Sequence, residues 1–268
     1  MLGKTLGQYR IVSKLGEGGM GVVYRAHDEI LHRDVAIKVL SSRTVADKPA
    51  REFLLEEARA ASALSHPNIC TIHQVGEVEG EPYIVMELIE GKPLNVLIGE
   101  SGLPVESVLR YGAQIAGALG HAHGRDVVHR DLKSTNVMVS PEGLVKVLDF
   151  GLARRLHKEI IDASMLTMDS REATGGSTAK STGGLTGTLP YMPPEVLRGE
   201  EATFYSDIWA LGVVLYEAAS GKLPFRGRTA FETSSAILQE LPAPLPSHIP
   251  RGIWAVVQRC LLKEPTQR

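Results

Sequence analysis

The chain has 268 residues, 43% hydrophobic and 22% charged, with a formal net charge of −2. That length can bury the cores of two lobes, and so even a charge balance argues against a nucleic-acid surface or an anionic-membrane anchor as the main partner. Its two cysteines, Cys70 and Cys260, are too few and too far apart for a disulfide framework or a thiolate metal site, so a reducing, cytoplasmic setting is expected. No apolar run reaches spanning length, and no apolar signal core follows Met1-Leu2-Gly3-Lys4.

In chain order, Tyr9 to Leu15 reads as a strand, a glycine cluster follows, and Val22 to Ala26 resumes alternation. The cluster Gly16-Glu17-Gly18-Gly19-Met20-Gly21 has the G-x-G-x-x-G spacing. A dinucleotide fold needs a helix directly after such glycines, whereas β-branched Val22 and Val23 continue as a strand. The reading is therefore a strand-glycine-strand flap, able to lay backbone N–H groups over phosphates because glycine carries no Cβ. Asp34 to Leu40 is the next strand. Alternation puts Lys38 on one face with Ala36 and Leu40, where an ammonium needs an anionic partner. An amphipathic helix over Ala50 to Ser65 offers two candidates, Glu56 and Glu57. Runs at Cys70 to Val75 and Tyr83 to Met86 complete a small antiparallel sheet, and Glu87 to Gly91 reads as the linker to a second lobe.

Beyond Leu94 the period turns helical. Val105 to His123 reads as a long helix with a left-handed cap expected at Gly124. His121 and His123, two apart, fall on different helix faces and read as cap and packing residues, not metal ligands. Ser164 to Thr188, rich in Ser, Thr and Gly, reads as a functional loop without a packed element. Pro193-Pro194 suits a helix start, Asp207 to Ala219 is apolar enough to be central, and Phe231 to Leu238 and Ile253 to Leu262 read as shorter helices.

Two polar motifs stand out between apolar runs. His129-Arg130-Asp131-Leu132-Lys133-Ser134-Thr135-Asn136 packs an acid, a cation and an amide into one loop, and Asp149-Phe150-Gly151 follows one strand pair later. Such residues suit orienting a hydroxyl, neutralising a phosphate and holding a metal. Either motif alone is equally readable as a solvated turn.

Taken with Val35-Ala36-Ile37-Lys38 and Pro193-Pro194-Glu195, all in one order and spacing, these motifs resemble the eukaryotic-type protein kinase family, most closely bacterial Ser/Thr protein kinases. The resemblance implies an α+β, bilobal protein kinase fold: residues 1–88 as a small antiparallel β-sheet lobe with one helix, and 89–268 as a larger, mainly helical lobe with an activation segment at 149–195. It implies ATP contacts from Leu15, Gly16, Glu17, Gly18, Gly19, Met20, Gly21, Val22, Val23 and Ala36. Lys38 would bind the α- and β-phosphates and pair with Glu57, preferred over Glu56 by its spacing before Leu64-Ser65-His66-Pro67-Asn68. Met86 would be the gatekeeper, with the Glu87 carbonyl and Ile89 N–H as hinge contacts. Asp131 would take the acceptor proton, Lys133 offset phosphoryl charge, and Asn136 and Asp149 hold Mg2+, or Mn2+ in its place. Lys133 and Thr188 resemble the Ser/Thr-specific pattern, which implies Ser/Thr acceptors on protein substrates. Arg130 beside the catalytic acid would receive a phosphate on the loop, with Thr174, Ser177, Thr178, Ser181, Thr182 and Thr186 as autophosphorylation candidates, in trans within a dimer.

Three positions depart from the family pattern: Pro193 where alanine is usual, Ser134 where proline is common and expected to matter little, and an end at Arg268 where one more helix is usual. Glu195, Asp207 and Arg268 are read as structural, with the Glu195–Arg268 pair expected at a frayed terminus. A longer parent would be free to carry a membrane tether. The main rival is a pseudokinase, a nucleotide-binding scaffold with little turnover. It requires loss of Lys38, Asp131, Asn136 or Asp149, all of which are present.

Overall fold

The computed structural model describes residues 1–18, 21–40, 56–78, 81–150 and 185–268. Six antiparallel strands build the first lobe: β1 (Thr5–Leu6), β2 (Tyr9–Gly18), β3 (Gly21–Asp28), β4 (Arg33–Leu40), β5 (Ile72–Val78) and β6 (Glu81–Glu87), in the order β1-β2-β3-β4-β6-β5. Period-two alternation divides β4 between two cores. Val35, Ile37 and Val39 pack with Tyr9, Ile11 and Tyr83 on the outer face. Ala36 and Leu40 pack with Ala58, Cys70, Ile84 and Met86 on the other, beneath the helical residues 56–62 (α1). Lys38 shares this inner face and lies opposite Val23 in β3 and Ile84 in β6. The β2–β3 turn needs glycine: Gly21 has φ 145°, and a Cβ there would sit 2.0 Å from the Val39 carbonyl oxygen.

The second lobe opens with β7 (Lys92–Pro93) and α2 (Leu94–Leu97), followed by the long α3 (Val105–His123). The short strands β8 (Val137–Val139) and β9 (Val145–Val147) join β7 in a three-stranded sheet that carries the polar loops at its ends. Then come α4 (Leu185–Thr188), α5 (Pro194–Leu197), α6 (Phe204–Ser220), α7 (Ala230–Gln239) and α8 (Arg251–Cys260). Helix α6 is central: Trp209, Val213 and Ala219 are fully buried, and Trp209 stacks on Phe225 with centroids 5.5 Å apart. It ends at Gly221, whose φ of 71° makes the left-handed cap.

Two expectations are corrected. Gly124 has φ −64° and ψ −3°, right-handed. The chain runs on through Arg125, whose N–H donates to the Ala122 carbonyl, and the left-handed residue is Asp126 with φ 59°. The loop predicted without elements over Ser164 to Thr188 ends in a helical turn, α4. Its residues 164–184 lie outside those described. Among the described residues no helix is long and apolar enough to cross a membrane.

Candidate active site

The loop between α3 and β8 is held mainly through its backbone. Asp207, 1% exposed at the start of α6, accepts the His129 N–H at 2.8 Å and the Arg130 N–H at 2.9 Å, and lies 2.8 Å from His123 Nε2. This grip keeps Arg130 at φ 69°, a conformation few side chains adopt without support. His129 is fully buried, and the Asp131 N–H donates to its Nδ1 at 3.2 Å. The ring proton is therefore on Nε2, which donates to the Leu148 carbonyl at 2.9 Å while the ring packs on Phe150 at 4.5 Å. One imidazole thus ties the loop of Asp131 to the motif of Asp149.

On that frame four side chains meet. Lys133 Nζ lies 2.7 and 3.0 Å from the two Asp131 carboxylate oxygens and donates to Thr188 Oγ1 at 2.9 Å. Thr188 donates to Asp131 Oδ1 at 3.2 Å, so Thr188 joins the same cluster across 57 residues of chain. Asn136 Nδ2 donates to the Asp131 carbonyl at 2.8 Å and to Oδ2 at 3.1 Å, which fixes the amide and turns its oxygen the other way.

Lys38 and Asp149 close the upper side of the cleft with a 2.9 Å salt bridge. Burial works against the Asp149 charge. The neighbouring Lys38 ammonium outweighs it and holds the carboxyl below its ordinary value. Asp149 has φ 58°, a second left-handed non-glycine residue at the site. Of the two candidate glutamates in α1, Glu56 is exposed, whereas the Glu57 side chain is 10% exposed and points inward. Its oxygen lies 2.5 Å from Arg130 Nη1. In this arrangement, therefore, Arg130 engages the α1 carboxylate and Asp149 engages the lysine.

The flap pairs Gly18 with Gly21, Glu17 with Val22 and Gly16 with Val23, and Lys14 reaches Glu17 at 2.5 Å on the exposed side. Leu15 is exposed, while Val23 and Ala36 pack toward the cleft. Gly19 and Met20 lie outside the described residues, as do Thr174, Ser177, Thr178, Ser181 and Thr182. Thr186 falls within α4. Met86 is buried at the back, with Ile89 packed against the same cluster. The Glu87 carboxylate accepts Lys146 Nζ at 2.8 Å and the Thr71 N–H at 3.3 Å, tying the end of β6 to β9. Behind Met86 a small apolar cavity is lined by Ala61, Ile69, Cys70, Ile72, Ile84, Asp149 and Phe150. Burial, then the Glu87 and Asp149 charges, push the Cys70 thiol up to about 12. Lys146, Ser134, Tyr191 and Glu217 did not emerge from the sequence as site residues.

The terminal pair is a third correction. The Arg268 guanidinium forks onto Glu195 at 2.6 and 2.7 Å, donates to the carbonyls of Leu262 and Tyr205, and lies over the Trp209 ring at 5.1 Å. Its side chain is 0% exposed. The fraying expected here does not occur, because the floor of α6 and the 262–268 turn enclose the charge.

A strand lobe and a helical lobe, with a lysine, two aspartates and an asparagine at their junction, define a fold class that comparison with known proteins identifies. Residues 9–268 match the protein kinase domain, and the chain belongs to the protein kinase family. It is 38% identical over its whole length to serine/threonine-protein kinase PknA of Mycobacterium tuberculosis, covering 59% of that protein. It is 36% identical over its whole length to serine/threonine-protein kinase PrkC of Bacillus subtilis, covering 39% of it. The probable serine/threonine-protein kinase PknB of Lactococcus lactis is 36% identical over 97% of the chain, which covers 40% of that relative. The chain thus spans between 39% and 59% of the length of these relatives.

Proposed function

We propose that this chain is the catalytic domain of an ATP-dependent protein serine/threonine kinase, with its lobes divided at residues 88 and 89. The observation that carries the reading is the junction of Asp131, Lys133, Thr188 and Asn136, each within 3.2 Å of a neighbour in the cluster. Phosphoryl transfer asks for positioning and charge neutralisation more than covalent chemistry, and this cluster supplies both. Asp131 accepts or orients the proton of the incoming hydroxyl. Lys133, already bridging Asp131 and Thr188, offsets the charge on the transferred group. Lys38 holds the α- and β-phosphates, and Gly16 to Val23 cover them with backbone N–H groups.

Asn136 and Asp149 offer an amide and a carboxylate oxygen, hard donors that fit Mg2+, or Mn2+ in its place. Among the described residues no group of three or more His, Cys, Asp or Glu forms a protein-only metal site. That suits an ion held by few protein oxygens together with substrate phosphates. Asn136 and Asp149 would hold such an ion, which would supply neutralisation of phosphate charge.

The acceptors are serine and threonine hydroxyls of proteins. Phosphorylation of the loop, in trans within a transient dimer, regulates the domain by giving Arg130 a phosphate partner. The setting is cytoplasmic. Mass spectrometry of the protein and of Asp131→Asn, each incubated with ATP, Mg2+ and a basic peptide, tests the reading. The native chain should gain phosphates on itself and on the peptide, and the variant should be slower by roughly 10²–10⁴-fold. Equal incorporation by both would refute it.

A further inference from the structure

Ser134, which stands where proline is common in the family, is only 1% exposed and opens the single turn Ser134–Asn136 that carries Asn136. Its Oγ lies 2.9 Å from the Tyr191 phenol oxygen, and that phenol lies 2.6 Å from Glu217 Oε2 on α6. A phenol has one proton and a carboxylate only accepts, so Tyr191 donates to Glu217 and Ser134 must donate to Tyr191. The chain of bonds therefore runs one way, from the catalytic loop through the 188–192 segment to the central helix. Burial and the Glu217 charge raise the Tyr191 pKa, which keeps the phenolic proton in place.

The same loop is tied to this segment twice. At Thr188 the tie is made by Asp131 and Lys133 themselves. An acceptor hydroxyl entering the site must compete for those two groups, so that tie loosens as the substrate binds. Ser134–Tyr191–Glu217 engages no group that the reaction needs, and it persists. We propose that Ser134 is a positioning residue for the acceptor, its hydroxyl holding the peptide-side segment in register with the catalytic loop. The inference rests on the kinase reading of this site and adds to it the residue that couples acceptor binding to the loop. Proline, common here in the family, or alanine lacks the proton the relay requires.

The test compares the purified native chain with Ser134→Ala, Ser134→Thr, Ser134→Cys, Tyr191→Phe and the Ser134→Ala/Tyr191→Phe pair. Each is measured for KM and kcat toward a generic serine peptide and toward ATP, with Asp131→Asn as the blank. Loss of one buried hydrogen bond should raise the peptide KM roughly tenfold and leave the ATP KM within about twofold. Threonine should restore the peptide KM to within about twofold. In the Tyr191→Phe background, alanine at 134 should cost less than about twofold more, since the two residues act as one unit. Ser134→Cys keeps the volume but donates weakly, and gives the same split if the alanine variant does not fold. An unchanged peptide KM, equal shifts for peptide and ATP, or full additivity with Tyr191→Phe would overturn the proposal. A native chain no better than the blank would instead remove the kinase reading, and this inference with it.

Discussion

The two sides of the cleft are held by different kinds of bond. Below, Asp207 grips backbone N–H groups, His129 bridges backbone atoms of two motifs, and Arg268 closes on Glu195 and on carbonyls. Above, Lys38 meets Asp149 and Glu57 meets Arg130, charged side chain to charged side chain across 111 and 73 residues of sequence. A bond to the backbone cannot change partner without refolding the loop, and the Arg268–Glu195 pair, 0% and 4% exposed, is too enclosed to do so. Flexible side chains can change theirs by rotating a few dihedrals. The lower side is thus built to persist, and the upper side to exchange, with Arg130 reaching both: its amide belongs to Asp207 and its guanidinium to Glu57.

Breaking the lower side should cost most. Asp207→Ala strips a buried charged acceptor from two backbone N–H groups and from His123, and should lower unfolding free energy by about 4–5 kcal/mol in denaturant titration. Arg268→Ala leaves Glu195 buried without its cation and should cost about 3–4 kcal/mol by the same measurement. Glu57→Gln tests the upper side. Because the Arg130 side chain is 22% exposed and can turn to water, the stability loss should be only about 1–2 kcal/mol, while peptide phosphorylation falls by a larger factor. If Glu57→Gln destabilised as much as Arg268→Ala, the contrast between the two sides would fail.

The smallest effect sharpens the comparison through pH. Lys263 donates to the Ile237 carbonyl at 2.6 Å beneath Phe225 and Trp209. Burial, then Arg268, bring its pKa down to about 8 from the ordinary 10.5. Between these values the unfolded chain binds the proton and the folded chain does not, so this group adds stability as pH rises from about 8 to 10.5. Below pH 8 its cost is fully present. The melting temperature of the native chain should therefore gain on that of Lys263→Met between pH 8 and 10. Parallel curves would remove Lys263 from the account.

What the sequence made legible was local. Alternation placed Lys38 on the inner face of β4, and the spacing of apolar residues bounded α3 and the core of α6, because both depend on neighbours a few residues away. The meeting of Asp131 and Thr188 followed only from the family resemblance, since nothing in either stretch encodes contact across 57 residues. Partner choice was not legible. Whether Glu57 meets Lys38 or Arg130 depends on how α1 is rotated over the sheet, which no periodicity reports. Ser134 looked minor because its worth lies in Tyr191, and Arg268 looked frayed because its enclosure is made by residues of a different helix. The glycine rule misplaced the left-handed turn after α3, where Asp126 takes it two residues later.

The Cys70 thiol in the cavity behind Met86 has a chemical consequence for inhibitors. With its pKa pushed up to about 12, it carries almost no thiolate at neutral pH. The recess is no larger than a water molecule, so a ligand group would first have to open it to gain apolar contact with Ala61 and Ile72, and an acrylamide or chloroacetamide warhead brought there would meet an inert sulfhydryl. Residence time in that recess must come from shape and exclusion of water, not from covalent capture.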